Sequence, residues 1–487
     1  MSFSIRNFVI LSTCFFNKYF SSDSDDDDEN CCHQCCDCLK NCFKKKIDEI
    51  FFSSKSSEPD NNNNNTTNTN INNYLQNQIS NQNFINNQFN NNFNNINQKQ
   101  KEPEPISSYK KPTLIGLNNI GSTCYKNSVL QCLSQTRGLT NYFLDPKFYN
   151  RIMNPNIIPG QNQINLCPIY YNLIQNLWKE NSVSKSFSPN EFMNSIAKMT
   201  QNDQVQFSLY EAGDAKDFII YILERMHNEL KQPLKNKFWK IEPKDQQLNQ
   251  YDENNAFSHF LDEFQEGTSI ISDYFFGFNE STNVCQYCKN FYNSQGQSEP
   301  ICYNYGIYNI LIFPLEEVKK YRNQMLSFNN MNLNMGNMNN MVSMFECFYF
   351  NQKSDYFTGD NKNYCNICKQ LYDSVYTSKI FTSPNVLIII LNRGKGNVYK
   401  IKLDFGLQMD ISDFVLLKEG KQIYNLYGVI THLGKSGPDA HFIASCKSPV
   451  DNKWYRYNDA FVDTINDLKT EVIDYGTPYI LFYEKQK

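Results

Sequence analysis

Two Cys-x-x-Cys pairs, Cys285 with Cys288 and Cys365 with Cys368, lie far apart in the chain. Each pair can place two thiolates on one side of a metal ion, and two pairs complete a tetrahedral site with no open position. Such a site is structural, because no coordination position remains for a substrate. The pattern therefore predicts one structural zinc ion and requires two distant segments to meet. The alternative is a hairpin that carries four reduced thiols without metal.

Another cysteine, Cys124, stands in a different setting. It lies in the segment GLNNIGSTCYKNSVLQ, residues 116–131, where it follows a glycine-bearing turn and precedes apolar residues at helical spacing. At the start of a helix the dipole lowers the pKa of a thiol and favours the reactive thiolate. A buried structural cysteine in a helix cap explains this segment equally well. A partner histidine must distinguish the two interpretations.

The chain has five histidines, so a general base has few candidates. Near the carboxyl terminus His432 ends one strand-like run, and His441 begins another after a loop with Gly and Pro. A short aromatic run then ends at Asn458 and Asp459. An amide or carboxylate beside an imidazole fixes its tautomer while the imidazole takes the thiol proton. Taken singly these residues have ordinary structural roles, but the order Cys124, His441, Asn458 predicts a cysteine protease triad.

These segments resemble the ubiquitin-specific proteases, a family of papain-like cysteine peptidases that remove ubiquitin. The resemblance covers residues 112–485. The family's cysteine box reads Gly-Leu-x-Asn-x-Gly-Asn-Thr-Cys-Tyr-Met-Asn-Ser, and this chain departs from it at Ser122 and Lys126. Both departures leave the nucleophile itself unchanged.

The family's histidine box is matched on the predicted strands near the carboxyl terminus. The matching residues are His432, His441, Trp454, Asn458 and Asp459. Ala440 stands where the family usually has glycine, and Phe442 where it has tyrosine. Glycine is used where a backbone comes close to a ligand, so the Ala440 methyl group is expected to narrow the approach of the substrate tail.

The resemblance implies a role for each matching residue. The implied catalytic residues are Cys124 as nucleophile, His441 as general base and then acid, Asn458 as orienting group, and Asp459 as a supporting carboxylate. Asn119 matches the amide of the family's oxyanion hole, which stabilises the tetrahedral intermediate. An Asx-turn before Gly121 is the alternative role for Asn119, and Asn118 fits that role equally well.

A further matching segment begins at Asp214. Residues 214–226 have the spacing of an amphipathic helix, for which Asp214 is a suitable N-cap. The family's box here is Gln-Gln-Asp-Ala-Gln-Glu-Phe, and Ala212-Gly213 replaces the two glutamines. The resemblance implies that Asp214 meets the basic tail of ubiquitin and that His432 also binds substrate. The loss of two amides is expected to weaken that binding.

The resemblance also implies the fold and the domain organisation. It indicates an α+β, papain-like fold with a helical thumb, a β-sheet palm and zinc-ribbon fingers at about residues 270–385. An Asn- and Met-rich insertion at residues 323–341 predicts a mobile loop, although a Met-rich stripe could instead be an interaction surface. Residues 1–110 hold an acidic run and an asparagine tract, with too few apolar side chains for a core. They are expected to form a disordered arm.

Charge and cysteine usage indicate partners and location. The net charge of −4 gives no global attraction to nucleic acid or to an anionic membrane. Six cysteines between Cys31 and Cys42 precede three lysines, a pattern that fits S-acylation and membrane attachment, adventitious metal binding, or an unmodified tract. A catalytic thiol and zinc thiolates require a reducing compartment. The expected location is the cytoplasm, with membrane attachment or a nuclear location as alternatives.

The function implied by the resemblance is hydrolysis of the (iso)peptide bond after the C-terminal glycine of ubiquitin. Its partners would be ubiquitin and ubiquitinated proteins, and the reaction needs no catalytic cofactor. Two alternatives stay open because of Ala440 and Ala212-Gly213. One is a catalytically weak scaffold that binds ubiquitin, and the other is a protease for another ubiquitin-like modifier.

Overall fold

The computed structural model describes residues 112–158, 164–179, 182, 184–233, 267–328, 341–393, 401–417, 420–434 and 440–486. The predicted arm at residues 1–110, with its Cys31–Cys42 tract, lies outside the described residues. Within the described ranges, no helix is both long and apolar enough to cross a bilayer.

The amino-terminal half of the described chain is mainly helical. Its elements are β1 (Gly116–Leu117), α1 (Cys124–Ser134), α2 (Arg137–Leu144), α3 (Tyr149–Met153), α4 (Leu166–Leu177), β2 (Ser186–Phe187), α5 (Asn190–Met199) and α6 (Ala215–Leu230). Helix α1 lies at the centre of this half, and every residue of it after Cys124 is buried. A helix buried all round is fixed by its neighbours on several sides, so α1 offers a rigid position for its first residue.

An eight-stranded sheet covers one side of this helical part. Its strands are β5 (Ile310–Pro314), β11 (Val386–Asn392), β13 (Gln408–Asp410), β14 (Ile423–Leu433), β15 (His441–Lys447), β16 (Trp454–Asn458), β17 (Phe461–Thr464) and β18 (Thr477–Lys485). Seven of them follow the order β17-β16-β15-β14-β18-β11-β5, and β13 pairs with β14. All neighbours are antiparallel except β11 and β5, which are parallel.

The central strand β11 is apolar along its whole length because both faces of the sheet are covered. Val386, Ile388 and Ile390 belong to the core shared with the helical part. Leu387, Ile389 and Leu391 alternate with them and belong to a second core on the opposite face. This two-sided burial explains why the strand is a continuous hydrophobic run rather than an alternating one.

A second sheet projects as the fingers. It consists of β4 (Cys302–Tyr308), β3 (Gly277–Cys285), β10 (Ser374–Thr382) and β7 (Ser354–Phe357), in that order. Helix α7 (Ile270–Phe275) precedes β3, and helix α8 (Gln286–Ser294) follows it. A hairpin of β8 (Asn363–Cys365) and β9 (Gln370–Tyr372) completes this part.

The segment at about residues 270–385, predicted as the fingers, also contains elements that pack on the large sheet. These elements are β5, α9 (Leu315–Phe328), β6 (Met341–Ser343) and α10 (Met344–Asn351). Residues of all four elements, Phe313, Leu315, Val342 and Phe348 among them, join the second core of the large sheet. The chain therefore leaves the fingers, packs on the sheet and returns.

Part of the segment 323–341, which was predicted as a mobile loop, is helical. Helix α9 continues to Phe328, and β6 begins at Met341 and pairs with β12 (Lys402–Asp404). The Arg322 guanidinium donates a hydrogen bond to the Met341 carbonyl and so joins the two ends of the insertion. Composition gave no sign of this tertiary contact, and residues 329–340 lie outside the described residues.

Candidate active site

The predicted helix after Cys124 is confirmed, and Cys124 is its first residue. The turn before it contains Gly121 with φ +143°, a conformation that side chains rarely adopt. A Cβ at this position would lie 2.2 Å from the Leu209 carbonyl oxygen. The glycine thus allows a neighbouring loop to pack directly against the turn. The Cys124 thiol is half-buried, at the positive end of the α1 dipole.

His441 opens β15, across from Leu433 at the end of β14. Its Nε2 lies 2.7 Å from Asn458 Oδ1 at the end of β16. Because an amide oxygen only accepts, Nε2 carries the hydrogen and Nδ1 remains for the thiol. The hydrogen bond with Cys124 is the main cause that raises the pKa of His441 to about 9, and the Asn458 contact adds to it against the opposing effect of burial. The structure thus brings Cys124, His441 and Asn458 together.

Asp459 hydrogen-bonds to two asparagines, and its charge also helps to raise the pKa of His441. Its Oδ2 accepts a hydrogen bond from Asn119 Nδ2 at 3.0 Å, and its Oδ1 accepts one from Asn127 Nδ2 at 2.8 Å. The Asp459 carbonyl also accepts from the Leu117 N–H at 2.8 Å. The carboxylate therefore fixes the segment before Cys124 relative to the strand that carries Asn458. Asn127 was not predicted as a site residue, because a polar residue in the predicted helix needed no other role.

These contacts orient the side-chain amide of Asn119. Its Oδ1 accepts from the Thr123 N–H at 3.1 Å, while the Ser122 N–H donates to the Leu209 carbonyl at 2.7 Å. The Cys124 N–H, at the first position of α1, has no acceptor within the helix, and Asn119 has a second Nδ2 hydrogen. Asn118 points elsewhere and donates to Ser188 Oγ at 2.6 Å. Asn119 thus has one local contact and one long-range contact, and its oxyanion role stays a prediction.

Asp459→Asn is expected to lower kcat of the predicted thiol hydrolase reaction by about 100-fold, the usual effect of losing one oxyanion donor, with little change in KM. The new amide nitrogen would face the Nδ2 of either Asn119 or Asn127, and two donors repel each other. Steady-state kinetics measure the effect, and Asp463→Asn on exposed β17 is the matched control. An Asp459→Asn enzyme with the parental kcat would contradict this role for the carboxylate.

A second group of polar side chains lies next to the triad. Asp214 caps α6 by accepting from the Lys216 N–H at 2.8 Å, which confirms its expected N-cap role. Both of its carboxylate oxygens also lie 2.8 Å from the Tyr479 hydroxyl, which donates to them. Tyr479 was missed because it lies in a strand that was assigned to the core. Burial lowers the pKa of His432, an effect that Asp214 opposes and His441 reinforces.

Aromatic contacts join these polar groups to the catalytic strand. Phe442 packs edge to face on His432, with ring centroids 5.0 Å apart, and lies 5.9 Å from the Tyr479 ring. The ring at position 442 is therefore used for packing, which needs no hydroxyl. Gly213 is explained by sterics, because a Cβ there would lie 2.5 Å from the ring of Tyr125.

The structure also brings the four predicted metal-binding cysteines together. Their Sγ atoms all lie within 4.8 Å of one another, and three of the four residues are buried. Cys288 and Cys365 are 3.7 Å apart at Sγ, and Cys285 and Cys368 are 3.9 Å apart. A tetrahedral zinc ion with Zn–S bonds of about 2.3 Å requires S···S distances of about 3.8 Å. The cluster can therefore hold a zinc ion with little rearrangement.

Local structure produces this cluster. Cys285 ends β3 opposite Ser374 of β10, and Cys365 ends β8 in the adjoining hairpin. The hairpin turn contains Lys369 with φ 57°, and its N–H donates to the Cys365 carbonyl at 2.8 Å. The register of β3 on β10 and the turn between β8 and β9 together bring two cysteine pairs that are distant in sequence to the same site.

Comparison with known proteins supports this architecture. The family model "Ubiquitin carboxyl-terminal hydrolase" matches residues 115–483. Among curated relatives, ubiquitin carboxyl-terminal hydrolase 2 of Bos taurus is 26% identical over 387 residues, which cover 78% of this chain and 56% of the relative. Ubiquitin carboxyl-terminal hydrolase 21 of Homo sapiens is 26% identical over 395 residues, or 76% of this chain and 61% of the relative. The chain thus spans less than two thirds of either relative.

Solved structures share the fold. The yeast SAGA DUBm matches with a TM-score of 0.51 and 20% identity, covering 79% of this chain and 70% of that one. A SAGA DUB module with Ubp8 bound to monoubiquitin matches with a TM-score of 0.53 and 19% identity, covering 82% and 74%. These similarities confirm the expected α+β fold. Since the family model covers most of the sequence, the chain belongs to the ubiquitin carboxyl-terminal hydrolase family.

Proposed function

We propose that this chain is a deubiquitinating cysteine protease that hydrolyses the (iso)peptide bond after the C-terminal glycine of ubiquitin. One observation carries the proposal. Cys124, at the start of α1, is hydrogen-bonded to His441, and the Nε2 atom of His441 lies 2.7 Å from Asn458 Oδ1. A thiol, an imidazole and an orienting amide in this arrangement perform acyl transfer. Family membership supplies the substrate class.

The reaction follows from the positions of these groups. The Cys124 thiolate attacks the carbonyl carbon of the terminal glycine, and the Cys124 N–H and the Asn119 amide stabilise the oxyanion. The tetrahedral intermediate collapses to a thioester, and His441 gives its proton to the departing lysine amine. A water molecule then attacks the thioester, with His441 as base, and releases the free carboxylate of ubiquitin and the thiol.

We assign substrate binding to the groups beside the triad. Asp214 is oriented by the Tyr479 hydroxyl and keeps a carboxylate near His432, which in turn interacts with His441. A carboxylate in this place can pair with the basic residues of an extended peptide tail. His432 packs against Phe442 and would flank the same tail.

The four finger cysteines would hold one structural zinc ion. All four coordination positions would be occupied by Cys285, Cys288, Cys365 and Cys368, so the ion would join the end of the finger sheet to the β8–β9 hairpin. It would stabilise the fold and take no part in the acyl transfer.

The direct test is reaction of the full-length chain with ubiquitin that carries a C-terminal electrophilic trap. Parallel reactions use the same trap on other ubiquitin-like modifiers, with His441→Ala as the control for general base function. An adduct with ubiquitin alone is expected. Reaction only with another modifier would support the alternative substrate, while ubiquitin binding without any adduct would support the scaffold.

The pH dependence of hydrolysis provides a separate check. The proposed leaving-group step needs protonated His441, whose pKa is raised to about 9 by Cys124 first and by Asn458 as well. Activity is therefore expected to fall as the pH rises through about 9. Asn458→Ala removes one contact that raises this pKa, so the alkaline limb should move to lower pH. Profiles of kcat/KM measure the shift, with Asn466→Ala as control, and an unmoved limb in Asn458→Ala would contradict it.

A further inference from the structure

Four consecutive backbone carbonyls, residues 207–210, accept hydrogen bonds from two residues that flank Cys124. The Lys126 ammonium donates to the Phe207 carbonyl at 2.9 Å and to the Ser208 carbonyl at 2.7 Å. The Ser122 N–H donates to the Leu209 carbonyl at 2.7 Å, and its Oγ donates to the Tyr210 carbonyl at 3.0 Å. Every carbonyl of this loop is thus directed at the cysteine segment.

Lys126 is unusual because it is 0% exposed, although a lysine side chain normally keeps its ammonium in water. Burial lowers its pKa to about 8. An uncharged amine still carries two N–H bonds, so both contacts with the loop persist on deprotonation. An apolar side chain could fill position 126 at a lower desolvation free energy. The lysine amine instead satisfies two carbonyls by donating hydrogen bonds to them.

The loop in turn determines the conformation of the turn before the nucleophile. Leu209 lies so close that a Cβ at position 121 would be 2.2 Å from its carbonyl oxygen. Because the Ser122 N–H points at Leu209, the next peptide units place the Thr123 N–H on Asn119 Oδ1. A shift of residues 207–210 would therefore move the groups that face the substrate carbonyl.

We propose that Lys126 and Ser122 form a clamp that holds residues 207–210 against the turn before Cys124, which makes Lys126 a positioning residue for oxyanion stabilisation. These are also the two residues at which this segment departs from the family's cysteine box. The catalytic part of the inference rests on the proposed deubiquitinase function. The structural part, which is the coupling of Lys126 to the loop, is independent of that function.

The test compares the full-length chain with Lys126→Met, Ser122→Ala and the double variant on ubiquitin bearing a C-terminal fluorogenic amide. Methionine matches the shape of the lysine stem and lacks the donors. Lys126→Met is expected to lower kcat by about 10- to 100-fold, as small misplacements of catalytic groups do, with KM nearly unchanged. Ser122→Ala, at a more exposed site, should lower kcat less. Both residues hold the same loop, so their effects should not be independent. The fold reduction of kcat in the double variant should therefore be smaller than the product of the two single reductions.

Hydrogen–deuterium exchange gives a readout that needs no substrate. Peptides covering residues 119–126 and 205–211 should exchange faster in Lys126→Met than in the parent, and Lys147→Met, on a separate surface segment, should match the parent in both measurements. If the parent fails to hydrolyse ubiquitin but exchange rises in Lys126→Met, the clamp stands and the proposed function fails. If a folded Lys126→Met variant keeps the parental kcat, or if the double variant is strictly multiplicative, the clamp is overturned.

Discussion

Cys124→Ala is expected to abolish hydrolysis of ubiquitin conjugates and leave ubiquitin affinity close to that of the parent. The sulfur is the atom that forms the thioester, so its loss should lower kcat by at least about 10⁴-fold, as removal of a covalent nucleophile does. The side chain is half-buried at the first position of α1, and alanine fits there without disturbing the helix. Turnover of a fluorogenic ubiquitin amide and binding of free ubiquitin measure the two effects separately.

Cys132→Ala is the matched control for this substitution. It removes a thiol from the same helix, two turns further on, at a fully buried position away from the triad. We expect trap labelling and kcat to be retained in Cys132→Ala and lost in Cys124→Ala. A Cys124→Ala protein that still forms a covalent adduct with the ubiquitin trap would show that another cysteine is the nucleophile.

Cys288→Ser is expected to lose the zinc ion and to destabilise the fingers. Serine cannot supply the soft thiolate ligand, and apparent binding free energies of structural zinc sites are about 10–16 kcal/mol, so loss of one ligand removes much of the stabilisation. Cys288 is buried among the other cysteines of the cluster, and its loss leaves three of the four thiolate ligands. Metal analysis of the purified full-length chain should give about one zinc per parent molecule and a small fraction of that for the variant.

Cys302→Ser provides the comparison for this experiment. Cys302 is a half-buried cysteine on β4 that contacts Cys365 but is not one of the group of four. Four thiolates fill a tetrahedral site without it, so its loss should leave the metal content unchanged. Thermal unfolding is expected to begin at a lower temperature only in Cys288→Ser. Parent protein that binds no zinc, with four reactive thiols, would instead support the metal-free hairpin.

Local elements of this protein could be predicted because their signals are local. The helix after Cys124 follows from apolar spacing, and the Asp214 cap follows from the preference of short polar side chains for that position. The strand that contains His432 and the strand that begins at His441 follow from short apolar runs around a Gly/Pro loop. The oxyanion and turn roles of Asn119 could not be separated, since both begin from the same sequence.

Contacts between distant residues were the part that sequence reasoning missed. The partner of Asn119 is Asp459, 340 residues away, and the hydroxyl that orients Asp214 belongs to Tyr479, 265 residues away. Lys126 gave no signal of its contacts, because a single lysine in a helix normally reaches solvent. The packing of α9 and α10 gave no sequence signal for the same reason: residues of both helices belong to the second core of the large sheet.

The sequence by itself determined which side chains are candidates for the chemistry, since residue type, chain order and the family resemblance point to Cys124, His441, Asn458 and the four finger cysteines. Only the tertiary structure decided which atoms meet: Asp459 with two asparagines, Lys126 with two carbonyls, and Nδ1 of His441 left for the thiol. The physical reason is that periodicity and capping act within a few residues. Hydrogen-bond geometry, in contrast, depends on how whole layers pack, and packing brings together residues that are hundreds of positions apart.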